Sequence, residues 1–242
     1  MKLKIINPNA MEEMTRDIRE SARRVAGPDT EFVAVNPPRG PLSLEGAYDS
    51  ALAVPEMLAE LLADEESYDA VIIACFGDVG LDAAREALDI PVLGICEAAL
   101  HVVGMLAPRF SILTVISRVI NLNRNLVYKY GFERRLASIR TTDLPVEEFA
   151  RDRAAAKRAL ITAGRLALEE DRAEALLLGC AGMAGLDEAM EKELGVPVID
   201  GVAAAVKLAE AMVGLGKKTS KFNTYKHPEK KEFKGLAKVF QP

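Results

Sequence analysis

The chain has 242 residues, half of them apolar, and a formal net charge of -5 with acidic and basic residues mixed along its length. That is long and apolar enough for one large domain or two small lobes around a sizeable core, and the charge excludes a general attraction to nucleic acid or anionic membranes. No stretch has the uninterrupted apolar length of a membrane span, and MKLKIINPN runs straight into a strand pattern, so a cytoplasmic protein is expected.

Short β-branched or apolar runs alternate with longer helical patterns, which is α/β organisation. KLKIIN at 2–7 reads as a strand stopped by Pro8, followed by a helix over 11–26, a strand EFVAV at 31–35 and a helix over 49–66. DAVIIAC at 69–75 is the next strand, then a helix over 80–89, PVLGI at 91–95 and a helix over 97–107. FSILTVI at 110–116 begins a second series: helix 118–130, strand 135–141, helix 147–171, strand EALLLGC at 174–180, helix 185–194, strand PVID at 197–200 and helix 202–215. VIIA and LLLG are apolar at every position, as in strands buried on both faces of a parallel sheet.

The second series echoes the first. ACFGDVGLDAA at 74–84 returns as GCAGMAGLDEA at 179–189. At a constant offset Ala70, Cys75, Gly77, Gly80, Leu81, Asp82 and Ala84 meet Ala175, Cys180, Gly182, Gly185, Leu186, Asp187 and Ala189. After one inserted residue, IPVLGICEAAL at 90–100 falls on VPVIDGVAAAV at 196–206. Shared packing demands explain matching apolar positions, but give no reason for a matching cysteine, two glycines and a Leu-Asp. The expected architecture is therefore two pseudo-symmetric α/β lobes, each a roughly four-stranded parallel sheet flanked by helices. Residues 1–97, completed by 205–242, form the first and 98–204 the second. Ligands of such sheets bind outside the carboxyl ends of the strands, which places Cys75 and Cys180 across one cleft.

Three cysteines without CxxC spacing and two distant histidines give neither a disulfide scaffold nor a zinc site. Cys75 and Cys180 each end a strand before a Gly-containing turn into a helix, where N–H groups and the helix dipole are expected to lower a thiol pKa. One thiolate and one thiol facing each other could take a proton from an acidic C–H on one face and return one on the other, inverting the carbon without a cofactor. Gly77 and Gly182 let backbone approach a ligand and present N–H donors to an enolate oxygen. Asn9 offers an amide for a planar ligand, or caps the first helix. Other roles stay open for the cysteines: small apolar fillers or a redox pair. Cys96, opposite Val202, reads as packing.

Together INPN, RGPLSLEGAYD at 39–49, ACFGDVGLDAAREALDIPVLGICEAA at 74–99, LGCAGMAG at 178–185, PVIDGVAAAVKLAE at 197–210 and TSKFNTYKHP at 219–228 resemble the hydantoin racemases, allantoin racemases included, of the aspartate/glutamate racemase superfamily. The likeness covers the chain apart from its last dozen residues. It implies two similar α/β lobes, no metal, no pyridoxal phosphate, a small hydantoin-type substrate, and Cys75 and Cys180 as acid and base at C5. It also implies ligand contacts at Asn9, Phe76, Gly77, Asp78, the Thr114 to Ser117 stretch, Ala181, Gly182 and Met183. A homo-oligomer is implied as well, with the tail from Lys217 either packed on a neighbour or solvated. Because Asp78 and Met183 occupy equivalent places in the repeat, the two faces of a substrate would meet different surroundings.

Two alternatives stand beside this reading. Racemases of free aspartate or glutamate resemble Cys-Asn-Thr after the first cysteine and Cys-Thr-His or Cys-Thr-Glu after the second, whereas here the stretches are the more apolar Cys75-Phe76-Gly77 and Cys180-Ala181-Gly182. A non-catalytic small-molecule-binding or thiol redox-sensing module on the same frame would have no need of two thiols facing one ligand.

Overall fold

A computed structural model describes residues 1–63, 67–232 and 234. The first sheet is formed by β1 (Lys2–Ile6), β2 (Glu31–Val35), β3 (Ala70–Ile73) and β4 (Val92–Gly94), in the order β2-β1-β3-β4 and all parallel. The second repeats that order with β5 (Phe110–Thr114), β6 (Leu136–Thr141), β7 (Ala175–Leu178) and β8 (Val198–Ile199), arranged β6-β5-β7-β8. Ile5 sits opposite Ile72 and Ile112 opposite Leu177, so the all-apolar runs pair in the middle of each sheet. The two-lobed, four-plus-four parallel architecture expected from the repeat is the one present.

Between the strands run α1 (Glu12–Val25), α2 (Ala47–Leu62), α3 (Leu81–Ala87), α4 (Ile95–Leu106), α5 (Ile120–Lys129), α6 (Val146–Arg151), α7 (Arg153–Glu169), α8 (Asp187–Leu194) and α9 (Gly201–Gly214). In α1, Met14, Thr15, Ile18, Ser21 and Ala22 are the buried positions, the three- and four-residue spacing of one helical face. One apolar core runs through both lobes, from Leu3 and Ile72 to Leu177 and Val206. A smaller cluster of Ile6, Met57, Val71, Ile73 and Leu81 covers the other face of the first sheet. Lys4 faces that side fully buried, its ammonium donating to the carbonyl of Glu60 at 2.9 Å.

The lobes meet through α4 and α9. A Cβ on Gly201 would stand 2.8 Å from the carbonyl oxygen of Ile95, so the glycine lets the two helix starts come into backbone contact. α4 packs on β7 and β8 as well as β4, and α9 on β3 and β4, so the helix that follows each sheet crosses onto the other sheet. Beyond α9 the chain returns over the first lobe, with Thr219 N–H donating to Asp89 O at 3.0 Å and the Tyr225 hydroxyl to Asp82 at 3.1 Å.

Several boundaries differ from the sequence expectation. The helix expected over 147–171 is two helices, because the Asp152 carboxylate accepts the Ala155 N–H at 2.9 Å and starts a new one. The strands expected at 69–75 and 174–180 stop at Ile73 and Leu178, which leaves the cysteines in the turns beyond. α4 starts at Ile95 rather than 97, since a carboxylate from elsewhere in the fold receives its first amides. Residues 64–66 of the helix expected over 49–66, and 233 and 235–242 of the expected 205–242 completion, lie outside the described residues. Among the described residues no helix is long and apolar enough to cross a membrane.

Candidate active site

The middle strands of each sheet end at one place. Asn7 follows β1, Cys75 lies two residues beyond β3, Thr114 closes β5, and Cys180 lies two residues beyond β7. All four line one cavity of about 70 Å³. Parallel strands ending side by side with short turns produce such a crevice at the carboxyl edge of an α/β sheet.

Both cysteines are held in the same way. The Cys75 O accepts the Asp78 N–H at 2.9 Å and the Cys180 O accepts the Met183 N–H at 3.1 Å, each closing a tight turn. Within those turns the Gly77 N–H donates to Cys75 Sγ at 3.4 Å, and the Gly182 N–H to Cys180 Sγ, also at 3.4 Å. The sequence repeat is thus a repeat of thiol environment.

The charge state differs from the sequence expectation. Burial pushes the Cys75 thiol up to about 12 and the Cys180 thiol up to about 11, and the single glycine N–H bond to each sulfur opposes this only in part. The helix dipole that was expected to lower both is remote from Cys75, because α3 begins only at Leu81. After Cys180 there is one 3-10 turn, Ala181–Met183, before α8. Removal of a thiolate from water therefore outweighs the local donors. A negative charge on Cys180 raises Cys75 further.

Of the residues singled out in the sequence, Asn9, Cys75, Phe76, Gly77, Thr114, Cys180 and Ala181 line the cavity. Asp78, Ser117, Gly182 and Met183 lie outside its lining. Asp78 is buried beside α4, where it accepts the N–H groups of Cys96 at 3.0 Å and Glu97 at 2.9 Å and the Tyr130 hydroxyl at 2.7 Å. Ser117 is exposed, Met183 is fully buried, and Gly182 reaches the site through its N–H on Cys180. Asn9 is not the cap considered for it: α1 is capped at Met11 without a side-chain bond, and Asn9 Oδ1 accepts the Met11 N–H at 3.0 Å just before the helix, while its Nδ2 has the weak acceptor Met14 Sδ at 3.3 Å.

Sequence reasoning missed Asn7, Leu44, Ser50, Asn123 and Val146, which also line the cavity. Asn123 donates to Thr114 Oγ1 at 3.0 Å. An Asn on the buried side of an otherwise amphipathic helix was the available signal for it; Leu44 and Val146 carry none, since they reach the site from the loop before α2 and from the start of α6, far apart in sequence. No charged side chain lines this cavity among the described residues, and no group of three or more His, Cys, Asp or Glu side chains that could hold a metal ion is found among them.

Two four-stranded parallel sheets flanked by helices, with a cysteine turn beyond the β3 and β7 strand ends, are the frame of an aspartate/glutamate racemase-like fold. The Asp/Glu/Hydantoin racemase family model matches residues 3–209, and the chain belongs to that family and is a racemase of its superfamily. It is 51% identical over 241 residues to the hydantoin racemase of Pseudomonas sp. (strain NS671), covering 99% of this chain and 97% of that one. The structure of allantoin racemase from Klebsiella pneumoniae superposes with a TM-score of 0.97 at 43% identity over 100% of this chain and 99% of the other. A glutamate racemase from Bacillus anthracis shares the fold at a TM-score of 0.62 and 17% identity, over 88% of this chain and 82% of that one.

Proposed function

We propose that the protein racemises a 5-substituted hydantoin or allantoin by proton transfer between two cysteines. The observation that carries this reading is a pair of equivalently held thiols on one cavity without a charged side chain in its described lining. A free amino acid would bring an ammonium and a carboxylate into surroundings with no countercharge, at a high desolvation cost, whereas a neutral planar ring needs only apolar walls and a few amide partners. The hydantoin and allantoin racemases similar to this chain support the same choice.

The C5–H of a hydantoin lies next to a carbonyl, so its removal leaves an enolate. One cysteine, as thiolate, takes that proton; the other, as thiol, gives its proton to the opposite face of C5. One proton leaves and one arrives, and the cysteine pair ends with its roles exchanged, so no oxidant, reductant or cofactor enters the balance. The raised thiol pKa values suit this task in one respect: a thiolate that is a stronger base is closer in basicity to a carbanion. Their cost is that few molecules hold the thiolate at neutral pH. Asn9 Nδ2 and the Asn123 amide are the polar groups placed to hold the ring, and the N–H groups of Gly77 and Gly182 stabilise whichever sulfur is charged.

The test is polarimetry of an enantiopure 5-substituted hydantoin, and of allantoin, with purified protein in deuterated water. Decay of optical rotation with deuterium entering the stereocentre supports the reading. Constant rotation with both, together with racemisation of free aspartate or glutamate, replaces it with the amino-acid alternative.

A further inference from the structure

Between β2 and α2 the chain runs NPPRGPLSLEG, residues 36–46, and places Leu44 and Gly46 in the cavity wall. Two contacts carry this first-lobe segment onto the second lobe. Glu45 Oε1 accepts the backbone N–H of Val146 at 2.8 Å, across 101 residues of sequence. Val146 itself lines the cavity and opens α6, and Pro145 before it has no side-chain group that caps that amide. The guanidinium of Arg118 lies flat against Gly46, where a Cβ would stand 3.2 Å from its Nη2; glycine at this position lets the arginine approach.

Glu45 is well placed to bear this contact. Its own N–H donates to the Asp49 carboxylate at 3.0 Å, and the Gly46 carbonyl accepts both the N–H of Ser50 at 3.1 Å and its hydroxyl at 2.9 Å. The end of the segment is thus fastened to α2, while its earlier part is tied to the turn after β1 through the Ala10 N–H on Pro41 O at 2.9 Å. With these contacts in place the cavity holds about 70 Å³, far below the ~300 Å³ at the small end of ligand pockets. Cys75 and Cys180 are already partly exposed here, so opening the bridge would widen the approach to them for a ring with a side chain.

We propose that Glu45 is the latch of the cleft: bonded to the Val146 amide, it holds the 36–46 segment across onto the second lobe and controls access to Cys75 and Cys180. Its consequence for turnover rests on the racemase reading; the latch itself is independent of substrate. The carboxylate also stands near one thiol of the pair, since its charge acts on Cys180, whereas the charges acting on Cys75 are those of Cys180 and Asp78.

The experiment is alkylation by iodoacetamide with no substrate present, followed site by site by peptide mass mapping in the full-length protein, Glu45→Ala and Glu45→Gln. Cys96, 0% exposed and outside the cavity lining, is the internal reference for loss of fold. Losing a charged hydrogen bond of this kind should raise labelling of Cys75 and Cys180 by roughly tenfold or more in Glu45→Ala. Glu45→Gln keeps an oxygen for the amide and should restore most of the protection of Cys75; Cys180 in that variant additionally reports the lost charge. Labelling of Cys75 at the parent rate in Glu45→Ala overturns the latch. So does Cys96 labelling together with the other two, or Glu45→Gln exposing Cys75 as fully as alanine does. A failure of the racemase reading would appear separately, as absent racemisation with this labelling pattern intact.

Discussion

The carboxyl group of Asp78 fills the space in which a side chain of Gly94 would stand: a Cβ on Gly94 would lie 2.3 Å from the Asp78 carboxyl carbon. In the repeat, Gly94 is the counterpart of Asp200, and Asp78 that of Met183. Asp200 caps its own helix, accepting the Val202 N–H at 2.8 Å, and also takes the Gly185 N–H at 2.9 Å from the loop after the second cysteine turn. Asp78 caps α4 from within the first cysteine turn. Both halves tie a cysteine loop to a helix start with one carboxylate, supplied from opposite ends of the tie.

That exchange predicts a compensating pair. Gly94→Asp alone drives a carboxylate into Asp78 and should cost about 2–4 kcal/mol, and Asp78→Gly alone leaves buried amide donors without their acceptor, at a similar cost of about 2–4 kcal/mol. Combined, they rebuild the arrangement of the second half, so the double variant should be more stable than the sum by at least ~1 kcal/mol. Urea unfolding of the four proteins measures the coupling; strict additivity would count against it.

Asp78 should also leave a mark on stability against pH. Burial pushes its carboxyl up to about 7 from an ordinary 3.8, with the Tyr130, Cys96 and Glu97 donors opposing only part of that shift. A raised folded-state pKa contributes stability in full below the unfolded value, and that contribution is lost as pH rises through about 7. The stability gap between parent and Asp78→Asn should therefore be widest near pH 4 and shrink towards pH 7. A gap that widens with pH would mean that the donors win over burial.

For the thiols the same sign applies at higher pH. With Cys75 at about 12 and Cys180 at about 11 against an ordinary 9.0, the stability they contribute is present below pH 9 and fades as pH rises through those values. If a singly ionised pair is the active form, kcat/KM should climb by about tenfold per pH unit through the neutral and mildly alkaline range. A plateau already reached at pH 7 would show that the thiols ionise far more readily than their burial implies.

Cys75→Ser and Cys180→Ser should each lose racemisation by about 10²–10⁴-fold. Deuterium exchange at the stereocentre separates their roles: each variant should keep exchange of the enantiomer whose proton faces its remaining thiol and lose exchange of the other. Equal loss of both exchanges in either variant would argue against a thiol for each face.

Asp152→Ala removes the side-chain acceptor for the Ala155 N–H at the start of α7. A loss of about 1 kcal/mol is expected, read as a lower midpoint in thermal unfolding. No change would place the start of that helix under the control of packing instead of its cap.

What could be read from the chain in advance was whatever is local or periodic. VIIA and LLLG declared buried parallel strands, and the matched Cys75 and Cys180 declared two equivalent turns on one cleft. Asp152 carried a cap signal inside what otherwise looked like one long helix, and the helical periodicity on either side concealed it. The part played by Asp78 was hidden because it depends on a side chain that Gly94 lacks, sixteen residues further along the chain.

By itself, then, the sequence determined the doubled α/β plan, the order of its strands and helices and the matching of the two cysteine turns, because these follow from alternation, periodicity and repeated chemistry over short spans. Tertiary structure alone decided how far burial raises the thiols, the absence of charge from the described cavity lining, and the hydrogen bond from the Val146 N–H to Glu45. Each of those depends on how much water is excluded and on which distant backbone amide lies within reach of an oxygen. Both are properties of the packed molecule, in which a thiol one bond from a favourable donor can still be governed by the burial around it.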